Sequence, residues 1–177
     1  MKFRNPFFTE NIMQDQPYCS LLLVAPFCDG ACPGCQNSVL SESDVVDFTV
    51  DELVKSYSDN PFVDGITVAG LEICLSGEDF VRDLVSFVEK AGVPRVTIYS
   101  RFPPEYPKLR AILARIEAIP TVQELYCKTG MYIQNGTSKK VVLNNTTTRE
   151  QTWTLSLASA NQDFHVVKGD LWRRSAA

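Results

Sequence analysis

The chain has 177 residues, 45% of them hydrophobic, which is enough for one well-filled core and too little for a second independent domain. Its net charge is −4, with lysines and arginines scattered rather than striped, so there is no basic footprint for direct nucleic-acid binding. No run approaches the roughly 20 apolar residues of a membrane span, and the start Met1-Lys2-Phe3-Arg4-Asn5-Pro6 lacks a signal-peptide apolar region; a cytoplasmic protein with no membrane partner is expected. No internal repeat or low-complexity linker is visible.

Taken in order, residues 1–17 mix Phe, Pro, Asn and Gln without periodicity and read as an arm over one edge. Residues 18–26 are continuously apolar and predict a first strand buried on both faces. After a cysteine-rich loop, 36–40 can open a short helix, and Thr49-Val50-Asp51-Glu52 has the form of a capping box that starts a helix to about Tyr57. Residues 64–70 form a second short strand. A helix opening at Ser76 or Gly77 carries Phe80, Leu84, Val85, Phe87 and Val88 at helical spacing, with Gly92 where a left-handed cap belongs. A third strand follows over 94–99, then a helix over 106–119 with Leu109, Ile112, Leu113 and Ile116 on one face, ended by Pro120. A fourth strand covers 122–127.

This alternation predicts a single α/β domain over 1–177, with a mostly parallel sheet and right-handed crossovers in the core, 18–128. Four or five β/α units are too few to close an eight-stranded barrel, so an open partial (β/α) barrel is expected, with its ligand site at the carboxyl ends of the strands. From Gly130 the texture changes. Residues 132–134, Asn135-Gly136 and 140–143 read as a hairpin, and 153–157 as one more strand, so that 129–177 forms a C-terminal β-hairpin cap and tail.

The chemistry concentrates in the loop after the first strand, where Cys28, Cys32 and Cys35 fall at CxxxCxxC spacing within eight residues. Such a triplet suits a soft metal centre. Structural zinc wants four ligands, whereas three cysteines on a four-iron cluster leave one iron open to a chelating small molecule. Zinc with remote ligands and buried free thiols remain the alternatives. Cys19, Cys74 and Cys127 sit in or beside apolar elements and read as core. Gly70-Leu71-Glu72 ends the second strand on the side of the cysteine loop, so Glu72 is either an acceptor for the amino group of a bound amino acid or an exposed strand-end carboxylate.

The motif in this setting resembles the signature of the radical S-adenosylmethionine (SAM) superfamily. Cys32-Pro33-Gly34-Cys35-Gln36-Asn37 is similar to the segment found in its small activases of anaerobic ribonucleotide reductase. Ala69-Gly70-Leu71-Glu72-Ile73 loosely resembles their Gly-Gly-Asp/Glu-Pro motif, Ile98-Tyr99-Ser100 their third strand, and Leu157-Ala158-Ser159-Ala160-Asn161-Gln162 their terminal Ser-Asn-Gln element. The likeness runs from about Tyr18 to Gln162, includes a possible phage-type single-cluster relative, and departs at Ile73, where those proteins have proline. Gly34 replaces the aromatic residue usual in the wider superfamily, so adenine packing must come from elsewhere.

The resemblance implies that Cys28, Cys32 and Cys35 hold a 4Fe-4S cluster. SAM would be bound with help from Asn37, Gly70, Glu72 and Ser100, with no catalytic residue beyond the cluster and SAM. It further implies a flavodoxin- or ferredoxin-type reductant. The radical acceptor would be the large subunit of anaerobic ribonucleotide reductase or another glycyl-radical protein. Arg101 reads as a partner for the SAM carboxylate or as a surface ion pair, and His165 as a surface or capping residue. Asn161 and Gln162 read as loop-bonding or substrate-contacting. A rival reading is a non-catalytic iron–sulfur or zinc module for electron transfer or partner docking; for zinc it requires Cys19, Cys74 or His165 beside the triplet. A third keeps the radical chemistry on a small molecule.

Overall fold

The computed structural model describes residues 1–4, 11–12, 15–35, 37–148 and 150–174; Gln36 of the cysteine motif, 5–10 and 13–14 of the arm, Arg149 and 175–177 lie outside them. In chain order the strands are β1 (Lys2–Arg4), β2 (Asn11–Ile12), β3 (Ser20–Val24), β4 (Val45–Asp47), β5 (Gly65–Ala69), β6 (Arg95–Ser100), β7 (Glu124–Thr129), β8 (Lys139–Asn145), β9 (Thr152–Leu157), β10 (Asp163–Lys168) and β11 (Trp172–Arg174). The helices are α1 (Val50–Ser58), α2 (Glu78–Lys90) and α3 (Pro107–Glu117).

Local sequence accounts for the helices. Thr49 Oγ1 accepts the Glu52 backbone N–H at 3.2 Å, and a Glu52 carboxylate oxygen accepts the Thr49 N–H at 2.7 Å, a reciprocal cap that begins α1. Helix α2 buries Phe80, Val81, Leu84, Phe87 and Val88 and is followed by Gly92 at φ +64°. Helix α3 starts with Pro107 at its first position and buries Leu109, Ile112, Leu113 and Ile116.

The central sheet runs β10-β7-β6-β5-β3-β2. Strands β3, β5, β6 and β7 are parallel and lie side by side in chain order, so right-handed crossovers send their helices to one face. On that face Leu21, Leu23, Ile66, Val68, Val96, Ile98, Leu125 and Cys127 join the apolar stripes of the helices in one core. The other face differs. Ser20 and Thr67 share a hydroxyl–hydroxyl hydrogen bond of 2.7 Å, as do Tyr18 and Thr97, while Tyr126 donates to Glu124 at 2.8 Å. Over the β7–β10 end of this face lies the sheet β11-β8-β9, whose Val141, Leu143, Leu155, Leu157 and Trp172 pack on Tyr18, Tyr126 and Phe164.

The expected open partial barrel with a mostly parallel sheet is therefore corrected. The described strands form three sheets of two, six and three strands, and five of the eight pairings are antiparallel. A barrel would extend the β7 edge with another parallel β/α unit; instead β10 returns antiparallel beside β7, and β2 closes the β3 edge in the same sense. The expected hairpin at Asn135-Gly136 is corrected too. Asn135 does turn, at φ 58°, but 132–134 form no strand, because the Met131 carbonyl accepts from Asn161 Nδ2 at 2.8 Å instead of joining a ladder. Strand β8 pairs with β9 through a turn in which Asn145 Oδ1 accepts from the N–H groups of Thr147 and Thr148. Near the start of the chain, β1 pairs with β4 and buries Phe3 edge-on against Phe80, ring centroids 5.7 Å apart. No helix among the described residues is long and apolar enough to cross a membrane.

The parallel sheet leaves no room at its amino end. A Cβ on Gly65 would lie 2.3 Å from the Arg95 carbonyl oxygen and 2.6 Å from the Tyr18 ring. Gly65→Ala is expected to cost about 1–3 kcal/mol in urea unfolding through overpacking; a loss below about 0.5 kcal/mol would contradict this packing.

Candidate functional site

After β3, the Ala25 N–H still donates to the Ala69 carbonyl at 3.3 Å, holding the chain beside β5 until the cysteine loop begins. Within the loop, the Cys35 N–H donates to Cys32 O at 3.1 Å and the Ser38 N–H to Cys35 O at 3.2 Å, so Pro33-Gly34 forms a tight turn between two thiols. Gly34 adopts φ +66°, and a Cβ there would strike the Gln134 side chain, so the motif glycine meets two local demands. A single 3-10 turn, Ser38–Ser41, follows where a short helix was expected.

Cys28, Cys32 and Cys35 are all half-buried and line one cleft of about 430 Å³ at the carboxyl ends of the parallel strands. Asn37, Gly70, Glu72 and Ser100 line the same cleft, so every residue nominated for metal or cofactor from the sequence converges there. Gly70, at φ +84°, leaves its Cβ position 2.9 Å from Val24 Cγ1 and 3.1 Å from Leu40 Cδ1. Only glycine fits that approach.

Glu72 is the most constrained of them. It is 3% exposed, which removes the reading of a solvent-facing strand-end carboxylate. Its Oε1 accepts from the Cys74 N–H at 3.0 Å and the Ser100 hydroxyl at 2.8 Å, and its Oε2 accepts from the Arg101 N–H at 2.8 Å. Three of about four lone-pair positions are thus used, leaving one on Oε2 for a further donor. Its own N–H donates to Phe27 O at 3.0 Å, tying the start of the cysteine loop to the end of β5.

Arg101 extends from the same corner and grips Asp29 with both terminal nitrogens, at 2.5 and 2.6 Å. The guanidinium holds the Asp29 carboxyl below the usual carboxylate range, and the Asp29 pairing raises Arg101 in turn. Burial pushes the Cys32 thiol up, opposed by the Tyr132 backbone N–H and the Arg101 charge. Burial also pushes Cys74 and Cys127 up to about 12, so both are neutral core thiols near pH 7.

Sequence reasoning missed the opposite wall. Lys128 lines the cleft and pairs with Asp15 at 2.5 Å; the Tyr99 hydroxyl donates to the same Asp15 oxygen at 2.8 Å, and the ammonium stands 4.9 Å from the Tyr99 ring centroid. Tyr99 and Lys128 are register partners on β6 and β7, so a lysine within an apolar strand was the available signal. Asp15, 5% exposed, comes from the aperiodic arm and gave none. Gln162 also lines the cleft; its amide donates to Gly130 O at 3.4 Å while its buried Oε1 has no partner among the described residues. Asn161 instead holds the Met131 carbonyl.

No protein-family model, curated protein or solved structure matches this chain. The donor set must therefore be judged on its own chemistry. Three thiols facing one cleft suit a soft-metal group. Among the described residues no three His, Cys, Asp or Glu side chains are gathered tightly enough to share one metal ion. Cys19 lies at the amino end of β3, Cys74 bonds Ser100 behind Glu72, and His165 Nε2 bonds Thr129 Oγ1 at 2.9 Å; none of the three lines the cleft with the triplet.

Replacing Glu72 with glutamine puts an amide NH₂ against backbone and hydroxyl donors. Glu72→Gln should lose about 1–3 kcal/mol in urea unfolding, and a neutral result would show that the three bonds carry no weight. Burial lowers the His165 imidazole below its ordinary value, so the unfolded chain binds its proton more readily. Its stabilising contribution is then present above about pH 6.5 and is lost as pH falls through the lower folded value. As the sole histidine, it should give a single imidazole NMR titration with a midpoint below about 6.5, and His165→Asn should remove that part of the pH dependence of the urea midpoint.

Proposed function

We propose that this chain is a radical SAM-type iron–sulfur enzyme, with Cys28, Cys32 and Cys35 as the ligands of a 4Fe-4S cluster. The observation that carries this reading is the convergence of the CxxxCxxC thiols with Gly70, Glu72 and Ser100 on one cleft at the carboxyl ends of the parallel strands. The chemistry such a group supplies when bound is one-electron cleavage of a sulfonium carbon–sulfur bond, which yields methionine and a 5′-deoxyadenosyl radical.

The chain's own residues have distinct tasks around that chemistry. The remaining Glu72 lone pair accepts from the amino group of the SAM methionine, and Lys128 and Arg101 supply positive charge for its carboxylate. Leu22, Val24, Leu40, Ala69 and Leu71 make an apolar wall that keeps water from the reacting atoms. Tyr132, at the cleft, offers an aromatic face for adenine, a role the cysteine motif leaves open at Gly34. The target we favour is a glycine Cα of a glycyl-radical protein, the large subunit of anaerobic ribonucleotide reductase or a related partner. A cytoplasmic flavodoxin or ferredoxin would act as reductant.

The use of three of the Glu72 lone-pair positions by internal donors favours a second reading, in which the cluster serves electron transfer or partner docking without SAM chemistry. One experiment separates the two. After anaerobic reconstitution, dithionite and SAM are added and 5′-deoxyadenosine is measured. Product from the native chain and none from Cys35→Ala is the expected result. A loaded cluster that yields no product, even with a candidate reductase present, would replace the enzyme reading with the second one.

A further inference from the structure

The three cysteines are not held alike. Cys28 is anchored to the sheet on both sides: Phe27 O accepts the Glu72 N–H at 3.0 Å, and Asp29 is gripped by Arg101 at 2.5 and 2.6 Å. Arg101 is itself set from behind, since its backbone N–H donates to Glu72 Oε2 at 2.8 Å. Asp29 Oδ1 also accepts the Ala31 N–H at 3.1 Å, so the same carboxylate closes the turn after Cys28. Cys32 and Cys35 are instead joined to one another inside the loop, the Cys35 N–H donating to Cys32 O at 3.1 Å.

An exposed ion pair on its own contributes little. This one is bidentate, its arginine side chain is only 12% exposed, and the arginine backbone is fixed by a buried carboxylate. A planar guanidinium bound to both carboxylate oxygens fixes direction as well as distance, which a lysine ammonium cannot do. We propose that Arg101 is a positioning residue for the thiol loop: acting through Asp29, it presets Cys28 at the carboxyl ends of β5 and β6 before any cluster is bound. The Cys32–Cys35 turn then closes onto a ligand already placed, and the ordering of the first third of the loop is complete before capture. This rests on the reading of the triplet as a cluster-binding loop, yet it makes a claim about the metal-free chain that stands or falls separately.

The test uses the full chain with Arg101→Lys, Arg101→Gln, Asp29→Asn and the double variant Arg101→Gln/Asp29→Asn. Amide hydrogen exchange over 27–31 is measured in the metal-free protein, iron and sulfide uptake is timed during anaerobic reconstitution, and the urea midpoint monitors the core. Loop exchange is expected to rise about tenfold in every variant, as for loss of a charge-assisted bidentate pair. The urea midpoint should stay near the native one. Arg101→Lys should be as fast as Arg101→Gln, and the double variant no faster than either single, because each already lacks the pair. Iron and sulfide uptake should slow by about threefold or more, following the loop exchange.

Unchanged loop exchange, rescue by lysine, or additive effects in the double variant would overturn the positioning role. So would exchange that rises only in step with a collapse of the urea midpoint. If the native chain takes up no iron, the cluster reading fails while the exchange data still decide the role of Arg101. If it takes up iron and gives no 5′-deoxyadenosine, only the SAM reading fails.

Discussion

The buried carboxylate of Glu72 is the joint on which the cleft depends. Its side chain collects donors from the turn after β5 and from the end of β6, and its backbone N–H reaches the carbonyl just before Cys28. Three chain segments that are far apart in sequence are thereby fixed to one residue. A carboxylate buried to 3% exposure is tolerated only because its oxygens are met by donors, so fold and site share one set of bonds.

The strand order explains why that joint faces open space. Parallel strands laid down in chain order carry all their crossover helices on one face, leaving the opposite face to be filled by something else. Here the polar face is closed at one end by hydroxyl pairs and by the β11-β8-β9 sheet, and is left as a cleft where the strands run out. The antiparallel strands finish what the β/α units begin: β10 and β2 cap the two edges, so the sheet neither closes on itself nor stays bare.

Much of the cleft was legible in the sequence because its parts sit at strand ends, where a short motif fixes both position and direction. Cys28, Gly70 and Glu72 follow β3 and β5 while Ser100 ends β6, and the alternation of strands with helices was enough to bring them to one end. The parallel strands and the three helices were similarly marked by apolar periodicity and by signals such as the Thr49–Glu52 cap. What was not legible was long-range. The return of β10 beside β7 depends on pairing across more than thirty residues, and Asn135-Gly136, a sound turn signal, was mistaken for a hairpin because the Met131 carbonyl finds side-chain partners instead of a strand. The link from Asp15 to Lys128 joins an arm without periodicity to the last parallel strand, and no local pattern encodes it.

Each cation lining the cleft, Arg101 and Lys128, is matched by an aspartate from outside the parallel strands, Asp29 and Asp15, while Glu72 has backbone and hydroxyl donors in place of a countercharge. The cleft is thus charge-compensated with one carboxylate in excess. A ligand carrying both an ammonium and a carboxylate can meet this pattern by exchanging contacts, with little change in net charge. A purely anionic ligand that drew Lys128 away would strand the buried Asp15, whereas Asp29, released by Arg101, would stay in contact with solvent. Any ligand that contacts either lining cation directly must therefore exchange places with an aspartate of the chain itself.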